Sequence, residues 1–463
     1  MKLLLCGEAI NAKRLLLFVV VPLACLAVAA TIFLPSGLIR LAVMLTLVLP
    51  IAFLFLDRPS IVFYILILIL FSNLDVYAPF RLYRYVIIFV FASFALALAS
   101  GRRVVTHHPL MIALLGAFTI IAFQSISVAR DYDLAVRKMG WFVKMLVALA
   151  IMTQFTRDRS EFRKFLLVLA AGILLSDFLP FVVRPPAQLR SLSLLWGQGV
   201  VRYGGFIYEP NVFAMCQLFL IPILMFFVGA YRKPAIGLFL VASIIASIGV
   251  LTLSFSRGGF VGLICLLLTL IVVERKNRAI LFLGLVLIVV GIIAVPDVYW
   301  ERVGSLFDFA AKRTDDFAIS TRVETIRAAF RLGLENPLLG VGIDNFMGRS
   351  QYLIPFTLTV HNAFMQIFAE LGLIAFAVFI GMIAYNVIII RRLMARRDDP
   401  EAALLGRALC MQQVAMLVNS FFIPVAYEMV FWFMLVMPAI GEYAYRVTPG
   451  ASSRADEGST GRK

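Results

Sequence analysis

The feature that most constrains this chain is a recurrence. Runs of about 20 apolar residues follow one another, separated by short basic or turn-forming links. They fall near 15–34, 37–56, 60–72, 85–100, 109–127, 139–155, 164–183, 210–230, 234–253, 258–273, 279–295, 361–390, 408–424 and 429–445. The chain is 62% hydrophobic with mean hydropathy +0.98. A water-soluble core cannot absorb that excess, whereas the hydrocarbon of a bilayer can. The sequence therefore predicts an all-α polytopic membrane protein with about 12–14 spans. Its predicted divisions are a transmembrane bundle over 1–295 with about 11 spans, an outer loop over 296–360, and C-terminal spans over 361–446. A disordered, cytoplasmic, Gly- and Ser-rich tail over 447–463 completes it.

The net charge of +16 would suggest nucleic acid in a soluble protein. Here the basic residues mark the cytoplasmic ends of spans, and no nucleic-acid partner is expected. With the N-terminus cytoplasmic, the cytoplasmic links include 101–103, 157–164, 231–233, 274–278 and 391–407, all short and basic. Both termini are then cytoplasmic. The run 15–34 has no clear small-residue cleavage site, so it reads as a retained first span. The five cysteines show no metal or redox spacing.

The outward links also carry arginines, which topology does not require. One group is Arg184, Arg190 and Arg202; another runs from Arg302 to Arg349. A large anionic ligand would explain them, as would ordinary loop charge offset by nearby carboxylates. Arg202 precedes Tyr203-Gly204-Gly205 and a span opening at Glu209-Pro210-Asn211, whose free helix-start amides would suit an anion. Arg257 sits in the shortest outer turn, Ser256-Arg257-Gly258-Gly259, where an arginine is costly unless paired or beside an anion. Thr321-Arg322-Val323-Glu324 fits a capping box, predicting a surface helix over 321–335 with Arg322 in its first turn. Val323, Ile326, Phe330 and Leu334 form its apolar face, with Arg327 and Arg331 on another. Planar guanidinium groups from separate loops would suit a pyrophosphate, since each can grip phosphate oxygens twice.

Of three histidines, only His361 lies on the predicted outer side. A base working near neutral pH is most simply a histidine, so outer-face acid–base chemistry would fall to His361 by elimination. A lone histidine at a helix start more often only makes hydrogen bonds. Lys144 and Asp177 read as a buried pair or as cavity lining. Asp131-Tyr132-Asp133 reads as a solvated loop before a metal site. Gly340-Val341-Gly342 lacks the strand–helix setting of a nucleotide loop. Glu370, nine residues beyond His361, falls on the opposite helical face.

Taken in order, Arg202–Phe206 with Glu209–Asn211, Ser256–Gly259, Ser320–Arg322 with Asn336–Gly342, and His361-Asn362 with Glu370–Gly372 resemble the O-antigen ligase and polymerase superfamily of bacterial envelope glycosyltransferases. The resemblance covers roughly 200–400; Ile326 departs from it where relatives often carry an aromatic residue. It implies a GT-C-like fold and a metal-independent transfer, with no cofactor, of a polyprenyl-pyrophosphate-linked glycan. The acceptor would be a sugar hydroxyl on a glycan or glycolipid, at the periplasmic face of the bacterial inner membrane. It implies that Arg202, Arg257 and Arg322 hold the pyrophosphate and that His361 activates the hydroxyl, with Asn211, Asn362 and Arg327 as supporting candidates. Ligase and polymerase are not separated by these residues. A transporter would more often show internal repeats and midplane polar residues.

Overall fold

The computed structural model describes residues 59–73, 108–183, 193–194, 201–205, 209–231, 233–275, 317–355 and 358–446, with isolated positions between 282 and 289. The expected spans at 15–34, 37–56 and 85–100, most of 279–295, residues 296–316 and the tail 447–463 lie outside the described residues. The chain divides into two units, 1–67 with 78–104 and 68–77 with 105–463. The site described below lies wholly in the second.

The described helices are α1 (Pro59–Ser72), α2 (Pro109–Gln124, continued by a 3-10 turn, Ser125–Val128), α3 (Tyr132–Phe155), α4 (Arg159–Val183), α5 (Pro210–Ala230), α6 (Pro234–Leu253), α7 (Arg257–Val273), α8 (Phe317–Glu335), α9 (Phe346–Ser350), α10 (Ala363–Met394), α11 (Pro400–Ser420) and α12 (Met429–Arg446). A two-residue antiparallel ladder pairs β1 (Ser193–Leu194) with β2 (Val201–Arg202), Ser193 opposite Arg202. The protein is an all-α polytopic membrane protein. Six described helices are long and apolar enough to cross a bilayer: α2 with its 3-10 turn, α4, α5, α6, α10 and α11. Large apolar side chains face outward on several of them, among them Phe123, Leu238 and Phe239. In water such a belt would be a liability; against lipid it is the expected exterior.

Helix starts follow local chemistry. Pro210, Pro234 and Pro400 occupy first turns, where the missing N–H costs nothing. Asp399 caps α11 by accepting from Ala402 N at 3.1 Å, so that helix begins at Pro400 and ends at Ser420, not at the expected 408 and 424.

Prolines inside helices free carbonyls, and polar side chains answer them. Pro438 in α12 cannot donate to Met434 O; Gln412 and Gln413 of α11 donate there instead, at 3.0 and 2.5 Å. Beside them, Trp432 and Phe431 pack with Phe118, Phe142 and Phe379, largely edge-on, at centroid distances of 4.9–5.8 Å. The other end of the bundle is tied by ion pairs, Arg159 with Asp399, Arg163 with Glu401 at 2.8 Å and Arg407 with Glu274 at 2.5 Å, and by the contact of His108 with Glu442 at 2.9 Å.

The outer-helix expectation needs three corrections. The helix carrying Arg322 starts by Phe317, so Thr321 is no cap and Arg322 lies in the second turn. Its buried face is Thr321, Thr325, Ala328, Ala329 and Leu332, not the stripe of larger residues; Phe330 and Leu334 are exposed. Small residues let α8 approach α10 closely, with Gly333 against the Phe368 ring.

Candidate functional site

The site is built where three chain breaks meet at the end of the bundle that carries His361. The first is the kink at Pro180 in α4. Pro180 has no N–H for Ser176 O, and the segment after β2 packs against this kink. Tyr203 donates its hydroxyl to Asp177 O at 2.5 Å. Gly205, at φ +55°, sits where a Cβ would lie 2.7 Å from Ser176 O. The Asp177 carboxylate accepts from Gln217 at 2.7 Å, while Lys144 is exposed on α3; the expected Lys144–Asp177 pair is not formed.

This docking aims Arg202 at the α6–α7 turn. Its Nε donates to Ser254 O at 2.9 Å and its Nη2 to Asn211 Oδ1 at 2.8 Å; Tyr203 N donates to Leu253 O at 2.9 Å. Asn211 in turn donates to Glu209 at 2.7 Å. Asn211 therefore orients Arg202. The start of α5 is not an open anion cradle, because the Glu209 carboxylate itself accepts from Val212 N at 2.6 Å. That corrects the expectation of free amides there.

The same turn holds Arg257, the first residue of α7, which is 9% exposed. Ser256 caps α7 by accepting from Gly259 N at 3.1 Å. Gly258 and Gly259 let the helix start press against its neighbours. A Cβ on Gly258 would lie 2.6 Å from Phe422 Cβ, and one on Gly259 2.6 Å from Ala214 Cβ. Arg202 and Arg257 thus meet at one three-residue turn, Arg202 through its bond to Ser254 O and Arg257 directly after it.

The third break is Gly372 (φ +81°), which splits α10. Its left-handed backbone interrupts the ladder, and the segment Asn336–Gly342 supplies the missing partners. Leu373 N donates to Pro337 O at 2.7 Å, Val341 N to Ala369 O at 2.9 Å and Gly342 N to Glu370 O at 3.0 Å. Gly340, at φ +65°, lies so close that a Cβ would sit 2.3 Å from the Glu370 carbonyl carbon. The Gly340-Val341-Gly342 motif is a backbone dock. The short N-terminal half of α10 is thereby held rigidly, capped by Asn362, which accepts from Met365 N at 3.0 Å.

His361 stands immediately before that cap, partly buried, with Arg322 of α8 beside it. Burial, and then the Arg322 charge, push the His361 imidazole down to about 4. At neutral pH the ring is uncharged. The structure brings Arg202 with Arg257 and Arg322 with His361. Both pairs flank the α11–α12 connector: Phe422 meets Gly258, and Phe421 stacks on Phe364 at 4.3 Å. Arg327 is exposed, about 140° around α8 from Arg322, and is not brought to His361.

Sequence reasoning missed one cluster. Glu370, fully buried, accepts from Asp344 N at 3.2 Å and Phe346 N at 3.3 Å, beside Tyr427. Asp344, at φ +58°, pairs with Lys138 at 3.2 Å; burial raises its carboxyl and Lys138 opposes that. Glu428, raised by burial, faces Lys138, Glu209 and Asp344. The signal was slight: an Asp two residues after Gly340-Val341-Gly342 tolerates a positive φ. Among the described residues no group of three His, Cys, Asp or Glu side chains is arranged to hold a metal.

No curated protein matches the chain. Residues 241–380 match a family model described as O-antigen ligase; the stretch contains Arg257, Arg322 and His361, with Arg202 upstream of it. Residues 241–380 thus match an O-antigen ligase domain, which supports the resemblance to the O-antigen ligase and polymerase superfamily.

Proposed function

We propose that this protein is a glycosyltransferase of the bacterial inner membrane, with cytoplasmic termini and a periplasmic site. It transfers a polyprenyl-pyrophosphate-linked glycan to an acceptor sugar hydroxyl. The observation that carries the reading is the neutral His361 set against Arg322, on the rigid half-helix before Gly372, inside the matched stretch.

In this reading His361 takes the proton of the acceptor hydroxyl through a ring nitrogen. The oxygen attacks the anomeric carbon, the bond from that carbon to the pyrophosphate oxygen breaks, and the configuration inverts. The leaving pyrophosphate gains negative charge, which Arg202, Arg257 and Arg322 stabilise from fixed positions. Asn211 holds Arg202, and Asn362 fixes the helix start behind His361. The fixed cations supply what a metal would otherwise provide, so the transfer runs in a chelator. The GT-C-like arrangement fits a donor that stays in the bilayer, since the site lies where span ends meet loops.

The experiment is complementation of a strain lacking the chain. His361→Ala is expected to abolish glycan output at an unchanged level of membrane-inserted protein. Near-normal output would remove the base assignment. The glycan stranded on the carrier separates the two family activities: long chains identify a ligase, single repeat units a polymerase. Product anomericity by NMR tests inversion; retention contradicts a single displacement.

A further inference from the structure

A cleft of about 570 Å³ opens at the same end of the bundle, between the start of α3 and the short helix α9. Arg130, Asp131, Tyr132, Asp133, Asn345 and Gln351 line it. None of these residues belongs to the arginine–histidine group. The volume falls within the range of small-molecule sites, about 300–1,000 Å³.

The walls are pre-built. Asp131 N donates to Asn345 Oδ1 at 2.7 Å, Asn345 Nδ2 returns to Asp131 O at 3.2 Å, and Arg130 Nη1 donates to Gly348 O at 2.5 Å. Two segments distant in sequence are thereby locked, so a ligand need not order them on binding. The neighbours of the lining residue Asn345 tie the cleft to the half-helix that begins just after His361, because Asp344 N and Phe346 N donate to Glu370 on it.

The lining selects a chemistry. Tyr132 is 63% exposed, an aromatic face standing in a polar cleft. Around it are carboxylate, amide and guanidinium groups, flat side chains that each take or give several hydrogen bonds. An apolar ring face with flat polar groups suits a hydroxyl-rich ring, whose C–H face stacks while its hydroxyls bond at the edge. Two carboxylates disfavour pyrophosphate or phosphate here. We propose that this cleft binds an oligosaccharide, the glycan on the acceptor side of the transfer. The proposal rests on the glycosyltransferase reading for the word acceptor, but not for the binding itself.

The test uses the full chain in lipid nanodiscs. The probe is a set of short oligosaccharides released by mild acid from the producing cell's own surface polysaccharide, with binding followed by saturation-transfer NMR and titration calorimetry. Tyr132→Ala is expected to weaken binding about tenfold, the scale of one lost stacking contact. Tyr132→Phe, which keeps the ring, stays near wild type, and Asp133→Asn falls between them. Arg257→Ala binds these uncharged-end oligosaccharides as wild type does. Tyr132 and Asp133 are exposed, so melting temperatures should match. Wild-type affinity in Tyr132→Ala, or no binding by the wild type, overturns the proposal. An equal loss in Arg257→Ala also overturns it, by moving the saccharide to the arginine side. Tyr132-dependent binding without any glycosyl transfer keeps the cleft and overturns only the transferase reading.

Discussion

At the scale of single residues, the site is a problem of charge placement. His361 must be neutral to act as a base, and its surroundings enforce this. Burial and the Arg322 cation both disfavour imidazolium, so both lower the pKa. The acid limb of kcat/KM is therefore expected near pH 4 to 5, below the ordinary histidine range near 6.5. In Arg322→Ala the repulsion is gone and the limb moves up, whatever the loss in rate; a pH–rate series on both proteins checks this, and a limb that stays put contradicts the pairing. Arg257→Lys is expected to lose most activity, on the order of a hundredfold, because an ammonium cannot make the forked contact. Steady-state kinetics on the purified variant reads it, and full activity would rule out forked binding. The residue types were legible: Arg202, Arg257, Arg322 and His361 each stood out as costly or rare where they occur. The electrostatic neighbours were not. Glu370, Asp344, Lys138 and Tyr427 come from four separate elements, and nothing local in the sequence announces that they meet.

At the scale of elements, two of the motifs turn out to dock on broken helices. Tyr203 and Gly205 pack against the Pro180 kink, and Asn336–Gly342 completes the Gly372 break. Glycine is required where the backbones touch, so Gly340→Ala should be severe. It adds a Cβ 2.3 Å from the Glu370 carbonyl carbon at a φ that alanine rarely adopts. Strain and overlap together cost roughly 2–6 kcal/mol. Gly249→Ala, with nothing within 4 Å, should be neutral or slightly stabilising. Thermal unfolding in detergent distinguishes the two, and similar melting temperatures would contradict the docking. Helix existence was legible because span length and hydropathy are local: α5 runs over Pro210–Ala230 as expected from 210–230. Helix starts were less so. The capping-box pattern at Thr321 competes with a helix already running from Phe317, and hydropathy overlooks the polar first turns of α11. The buried face of α8 was misread because the expected rule places large apolar side chains inward. Beside a membrane they can face outward while Ala328, Ala329 and Gly333 make the close helix contact.

At the scale of the whole molecule, the two ends of the bundle do different work. One end is cross-tied by charged and polar side-chain contacts that hold α2, α4, α7, α11 and α12. The other gathers broken helices, the arginine pairs and the saccharide cleft. A transporter would need its polar path to continue between the two, whereas a transferase needs only the loop-bearing end. The most direct test is reconstitution of the purified chain in liposomes with a polyprenyl-pyrophosphate-linked glycan, an acceptor glycan and a chelator. The predicted result is release of polyprenyl pyrophosphate in step with a new glycosidic bond, by the wild type and not by His361→Ala. A glycan that stays on its carrier, whether or not it crosses the bilayer, would contradict the account.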